Sequence, residues 1–143
     1  MSIIKIVIKG CSGYGPVDES YDDKVIITSS SISYEYLPAI ESNLNPKRKW
    51  TYKTNSPLFL HVFEMICTKI PQVLFAENIA ECTDVGMFDY TVTYEDKSKK
   101  HVCYWCTGEE FEDLFRLIKQ LVPETEYVPA VLLTSDDYEE EEE

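Results

Sequence analysis

Apolar residues recur along this chain with two different periods, and the periods divide it into strands and helices. Ile3 to Lys9 is rich in Ile and Val and runs into Gly10-Cys-Ser-Gly-Tyr-Gly-Pro16, the pattern of a strand entering a loop. Lys24 to Thr28 and Ile32 to Tyr36 are β-branched or aromatic runs on either side of Ser29-Ser-Ser31, and predict a hairpin. After a polar loop through Asn43 and Pro46, Lys49 to Thr54 reads as another strand. Ser56-Pro57 then signals a helix, with a capping serine and a proline at the first helical position.

The period changes here. Phe59, Val62, Phe63, Ile66 and Ile70 recur every three or four residues and form one apolar stripe, which Pro71 ends because the residue before a proline avoids helical geometry. Tyr90 to Tyr94 and His101 to Cys106 predict a second hairpin around Glu95-Asp-Lys-Ser98. Thr107-Gly-Glu-Glu110 has the form of a capping box, and Phe111, Leu114, Phe115, Ile118 and Val122 line the buried side of the helix it opens, over Glu109 to Leu121, before Pro123.

Lys47 to Pro71 can be laid on Lys99 to Pro123 without a gap, at an offset of 52 residues. The identities are Lys47/Lys99, Tyr52/Tyr104, Phe59/Phe111, Phe63/Phe115, Ile66/Ile118 and Pro71/Pro123, mostly on the predicted apolar faces. The preceding strands also correspond, Tyr36 to Tyr94, if the second hairpin loop is six residues shorter. This predicts an α+β fold with an internal ββα duplication at about 32–71 and 90–123. The units would pair into a largely antiparallel sheet of about five to six strands with two helices on one face. The first two strands would extend that sheet. Tyr127 to Leu133 is expected to pack as a short extension over the core, and Pro129 confines it to an edge if it is a strand.

Length fits this picture, since 143 residues suffice for one domain with a real core, here spanning residues 1–133. Charge modifies it. The chain has 26 acids and 13 bases, a net charge of −13, and Thr134 to Glu143 holds seven of the acids and no base. Residues 134–143 therefore read as a flexible acidic tail. Such a balance opposes non-specific binding to nucleic acid or to an anionic membrane, so neither partner is expected. Five cysteines, an odd number in a chain that needs no staples, point to free thiols in a reducing compartment. Lys5 and Lys9 interrupt the first apolar run as a signal peptide would not, and the expected location is cytoplasmic.

Candidate chemistry is sparse. Gly10 to Gly15 follows a strand as a phosphate loop would, but its spacing matches neither nucleotide motif, and Asp18, Glu19, Asp22 and Asp23 would repel phosphate. Cys103-Tyr-Trp-Cys106, two residues after His101, has the composition of a zinc or dithiol site. On a strand, however, its two cysteines face opposite ways, and no second cysteine pair stands at ligand spacing. The pair aligns with Thr51 and Thr54, ordinary strand residues. His61 and Cys67, six apart on one helix, lie on different faces and form no catalytic pair. No catalytic residue, cofactor or metal is predicted.

Bases cluster at matching places in the two halves: Lys47, Arg48, Lys49 and Lys53, then Lys97, Lys99 and Lys100. With the hairpins as neighbours they would form one basic patch, although lysines also serve to keep edge strands from pairing with other chains. The preferred function is a non-catalytic acidic interaction module, a small regulator or inhibitor that binds a protein partner. Candidate aromatic contacts are Tyr14, Tyr21, Trp105 and Tyr127. Mimicry of nucleic acid by the carboxylates is a special case of that reading. The alternative is a small-molecule-binding domain or enzyme with a pocket between sheet and helices.

Overall fold

The computed structural model describes residues 2–12, 20–76, 79, 86–106, 108–124, 126, 128–135 and 137. Strands β1 (Ile3–Cys11), β2 (Tyr21–Thr28), β3 (Ser31–Pro38) and β4 (Arg48–Lys53) are followed by helices α1 (Pro57–Lys69) and α2 (Pro71–Leu74). Then come β5 (Met87–Tyr94), β6 (Lys99–Trp105) and α3 (Glu112–Lys119), with 3-10 turns at Glu109–Phe111 and Ala130–Leu132. All six strands join one antiparallel sheet in the order β4-β3-β2-β1-β5-β6.

That order corrects one expectation. β1 and β2 do not extend a sheet made by the two hairpins; they are its centre, and the hairpins β3-β4 and β5-β6 flank them on opposite sides. The reason lies in burial. Ile6, Ile8, Val25 and Ile27 are wholly inaccessible, so β1 and β2 must sit where helices cover them and strands flank them on both edges.

Alternate residues of every strand meet the helical layer: Tyr34 and Tyr36 of β3, Trp50 of β4, Tyr90 and Val92 of β5. Against them lie Phe59, Val62, Phe63 and Ile66 of α1 and Leu114, Phe115 and Ile118 of α3, with Phe111 from the turn before it. These are the stripes that the helical spacing predicts. Each fully buried apolar side chain of this size contributes roughly 1.5–3 kcal/mol over its exposed state.

The helix termini follow the sequence only in part. Ser56 caps α1, its Oγ accepting from the Phe59 N–H at 3.5 Å. Pro71 both ends α1 and occupies the first position of α2. Before α3 the capping position falls to Gly108, whose φ of +86° suits glycine, and the chain enters through a 3-10 turn with no side-chain cap. The expected cap, Thr107, lies outside the described residues.

With β4 laid on β6 at the offset of 52, register pairs Trp50 with Tyr34 and Val102 with Tyr90. On that alignment Tyr34 would match Tyr90, rather than Tyr36 matching Tyr94. Tyr36 faces Arg48 and Val92 faces Lys100, spans of twelve and eight residues, so the second connection is four residues shorter rather than six.

The segment expected to extend the core is not a strand. It folds as the turn Ala130–Leu132, burying Val131 and Leu132, because a carboxylate and a phenol hold its backbone. The Val131 N–H donates to Asp23 Oδ2 at 2.9 Å, the Ala130 N–H donates to the Tyr34 hydroxyl at 3.2 Å, and that hydroxyl donates to Asp23 Oδ2 at 2.8 Å. The strap presses so closely on β1 that a Cβ on Gly10 would lie 2.6 Å from Val131 Cγ2.

Beyond the strap, the Asp137 side chain reaches back to Thr134. The Thr134 N–H donates to Asp137 Oδ2 at 2.9 Å, and Lys119 Nζ donates to the same carboxylate at 2.7 Å. Among the described residues no helix is long and apolar enough to cross a membrane.

Candidate functional site

The two main helices pack on one face of the sheet, and no described helix covers the other. Pleating sends alternate residues to that uncovered face, and the register arranges them in rows running edge to edge. At the end where β1 begins, the row from β4 to β6 reads Lys53, Ser31, Thr28, Lys5, Thr93, Lys99. The next is Thr51, Ser33, Ile26, Val7, Thr91, His101, and the third is Lys49, Glu35, Lys24, Lys9, Asp89, Cys103. The last described row is Leu37, Asp22, Cys11, Met87, Trp105.

In these described rows six lysines thus stand against three carboxylates, in a chain where acids outnumber bases 26 to 13. Among the described residues none of the six makes an ion pair. Lys9 and Lys24 are directly opposed across β1 and β2, a like-charge placement, while on their other flanks Lys9 faces Asp89 and Lys24 faces Glu35, placements of opposite charge that offset it. Edge protection accounts for Lys49, Lys53 and Lys99, which lie on β4 and β6. It does not account for Lys5, Lys9 and Lys24, which lie on the central strands, where there is no edge to guard.

The single basic patch expected from the sequence is divided. β4 and β6 form opposite edges, five strand spacings or about 24 Å apart. Lys49, Lys53 and Lys99 share the uncovered face with Lys5, Lys9 and Lys24. Arg48 and Lys100 point the other way; the Arg48 guanidinium lies 5.2 Å from the Tyr36 ring centroid and Lys100 Nζ 5.2 Å from that of Phe75. Lys47 is exposed just before β4, and Lys97 occupies the β5–β6 turn with φ of 73°.

Of the candidate aromatics, Trp105 is 47% exposed at the corner of this face, paired with Met87. Tyr21 is half-buried, its ring centroid 5.1 Å from that of Tyr36. Tyr14 and Tyr127 lie outside the described residues. Lys9, Lys24, Glu35, Leu37 and Met87 rim an open depression of about 360 Å³ on the same face.

His101 adds the closest polar contact here, its Nε2 lying 2.7 Å from Asp89 Oδ2. Neither Cys11 nor Cys67 is set up as a nucleophile. Burial, and secondarily the carboxylates of Asp22 and Asp23, raises Cys11, and burial pushes Cys67 up to about 11, the reverse of an activated thiolate. Cys103 lies on the uncovered face while Cys106 is buried, so the two are separated as strand alternation requires.

Between sheet and helices the space is filled by Tyr90, Phe111, Phe115 and their neighbours. Depressions occur at its margins, as in one of about 430 Å³ between α1 and the start of β1, lined by Phe63, Glu64, Cys67 and Tyr94. Leu58, Leu60 and Met65 are exposed on the outer side of α1. No known protein-family model matches this chain, and comparison of its sequence with curated proteins finds no match.

Proposed function

We propose that this chain is a non-catalytic protein-interaction module, a small regulator or inhibitor whose binding surface is the uncovered face of the sheet. One observation carries the reading: Lys5, Lys9 and Lys24 stand on central strands, where edge protection does not call for them, and among the described residues none of them closes an ion pair. A face with six lysines and three carboxylates in its described rows is complementary to an anionic partner.

The partner is an acidic polypeptide segment. A single-stranded nucleic acid would require stacking platforms, yet the central strands offer Val7, Ile26, Ser33 and Thr91 at these positions, and Trp105 is the one aromatic residue in the rows described. The chain's net charge of −13 also disfavours a long polyanion. A peptide can combine carboxylates for the lysines with an apolar residue for the Cys11, Met87 and Trp105 corner.

In the same reading β3-β4-α1 and β5-β6-α3 are copies of one unit, each with a lysine-bearing edge strand before its helix. What supports this is a repeated contact: Tyr52 lies 6.3 Å from Phe59, and Tyr104 lies 5.6 Å from Phe111, between ring centroids.

Fluorescence anisotropy with a labelled glutamate-rich peptide at low ionic strength tests the function. Lys9→Gln/Lys24→Gln should weaken binding by about three- to tenfold, since each exposed pair is worth about 0–1 kcal/mol. Lys69→Gln/Lys97→Gln, which removes the same charge elsewhere, should leave it within about twofold. Equal losses in both variants, or tighter binding of a single-stranded oligonucleotide of matched charge, would overturn the reading.

A further inference from the structure

β4 ends the sheet, and its register shows which of its backbone groups have no strand to meet. The Thr54 N–H donates to the Ser30 carbonyl at 2.9 Å, which makes Ser30 and Thr54 a hydrogen-bonded pair at the end of the β3–β4 ladder. Bonded and non-bonded pairs alternate in an antiparallel ladder, so Tyr52, Trp50 and Arg48 direct their N–H and C=O groups to β3, while those of Lys49, Thr51 and Lys53 point outward. Among the described residues no strand lies beyond them. All three are exposed, with side chains on the uncovered face. From Ser42 to Phe63 the chain has four bases, Lys47, Arg48, Lys49 and Lys53, and no acid. Glu35, opposite Lys49, is the one carboxylate that β3 pairs with β4. On the other side of the strand Tyr52 is 40% exposed and lines an open groove of about 430 Å³ with Leu58, Phe59 and Val62.

We propose that β4 takes an acidic segment of a protein partner as a seventh, antiparallel strand. The inference borrows from the reading above only the acidic character of the partner; the backbone of β4 carries it, not Lys9 and Lys24. Residues of the added strand opposite Lys53, Thr51 and Lys49 exchange backbone bonds with them and place their side chains on the uncovered face, so carboxylates are favoured at the first and third of these positions. The residues between them turn toward Tyr52 and the groove, where apolar β-branched side chains fit. The same lysines disfavour a second copy of this chain, whose β4 would bring like charges to the edge.

The experiment titrates the full chain with a labelled peptide containing Glu-Val-Thr-Val-Glu and with two N-methylated forms of it, at low ionic strength. Methyl groups on the Glu and Thr nitrogens remove the donors that face β4, methyl groups on the Val nitrogens remove donors that face away, and charge is the same in both. The first form should bind at least about tenfold more weakly than the parent peptide, and the second within about threefold of it. In hydrogen exchange the parent peptide should slow the amides of Lys49, Thr51 and Lys53 and leave those of Lys99, His101 and Cys103 unchanged. Equal losses from the two methylations, or no slowing at β4, would overturn the added strand, and the Lys9→Gln/Lys24→Gln comparison would still decide the lysine face by itself. Slow exchange of the three β4 amides in the dilute chain without peptide, or slowing that grows with chain concentration, would overturn it also, since the edge would then be covered by the chain itself or by a second copy.

Discussion

The same six strands present two faces that differ in what specifies them. On the covered face, Ile6, Ile8, Val25, Ile27, Tyr90 and Val92 are inaccessible, and period, burial and packing all demand apolar residues there. On the uncovered face the neighbouring positions hold Lys5, Val7, Lys9, Lys24, Ile26 and Thr91, and folding asks only that they tolerate water. Side chains on such a face can be chosen for other reasons, and lysines on central strands guard no edge.

Stability measurements should separate the faces. Phe111 is 1% exposed, with the rings of Phe88, Tyr90, Tyr104 and Phe115 within 6.0 Å of its centroid. Phe111→Ala should therefore cost about 3–5 kcal/mol in urea unfolding. Val7→Ala, on the uncovered face of β1, should cost no more than about 1 kcal/mol. Similar costs would mean that the second face is also packed.

Gly10→Ala probes the strap on the covered side. Its new methyl would meet Val131 at 2.6 Å and Asp23 Oδ1 at 2.8 Å, so a loss of about 1–3 kcal/mol is expected, with faster amide exchange at Ala130 and Val131. An unchanged exchange pattern would show that the strap is not held there.

Asp23 gives the covered face a pH dependence. Burial, the largest influence, raises its carboxyl above the ordinary range, against the lowering by Tyr34 and the Val131 N–H. Its Oδ1 has no hydrogen-bond partner among the described residues. A raised folded-state value means that the folded protein binds the proton more tightly. The associated stabilisation is complete below the unfolded value of about 3.9 and is lost as pH rises through the folded one. Asp23→Asn cannot titrate, so its Tm relative to the parent should improve from pH 3.5 to pH 7, values on the order of those bracketing an aspartate's titration. A constant difference across that range would contradict the assignment.

The smallest stability effect is the sharpest. Lys9→Gln/Lys24→Gln removes one like-charge placement together with the facing of Lys9 to Asp89 and of Lys24 to Glu35, so it should leave stability within about 1 kcal/mol of the parent while it weakens peptide binding. Loss of stability together with binding would make these lysines structural.

The elements were legible because their causes are local. Alternation marked the strands, and Phe59, Val62, Phe63 and Ile66 marked α1, since a buried stripe needs no knowledge of its partner. Strand order was not legible, because nothing within Ile3 to Lys9 says which strands will lie beside it. The basic residues were consequently grouped by their closeness in sequence at Lys47 to Lys53 and Lys97 to Lys100, which the sheet separates. For Lys5, Lys9 and Lys24 the sequence does carry a signal, since their phase against Ile6, Ile8 and Val25 puts them on the opposite face. The contact within Thr134-Ser-Asp-Asp137 had a readable signature too, of the kind sought at Thr107 to Glu110, but the acidic run around it hid the signal.

Methyl resonances offer the most direct test of the binding face, because neighbouring residues report on opposite sides of one sheet. On titration with the glutamate-rich peptide, Val7, Ile26 and Met87 should shift while Ile6, Ile8, Val25 and Ile27 stay in place. Shifts confined instead to Leu58, Leu60 and Met65, exposed on α1, would place the partner on the helical side and contradict the account.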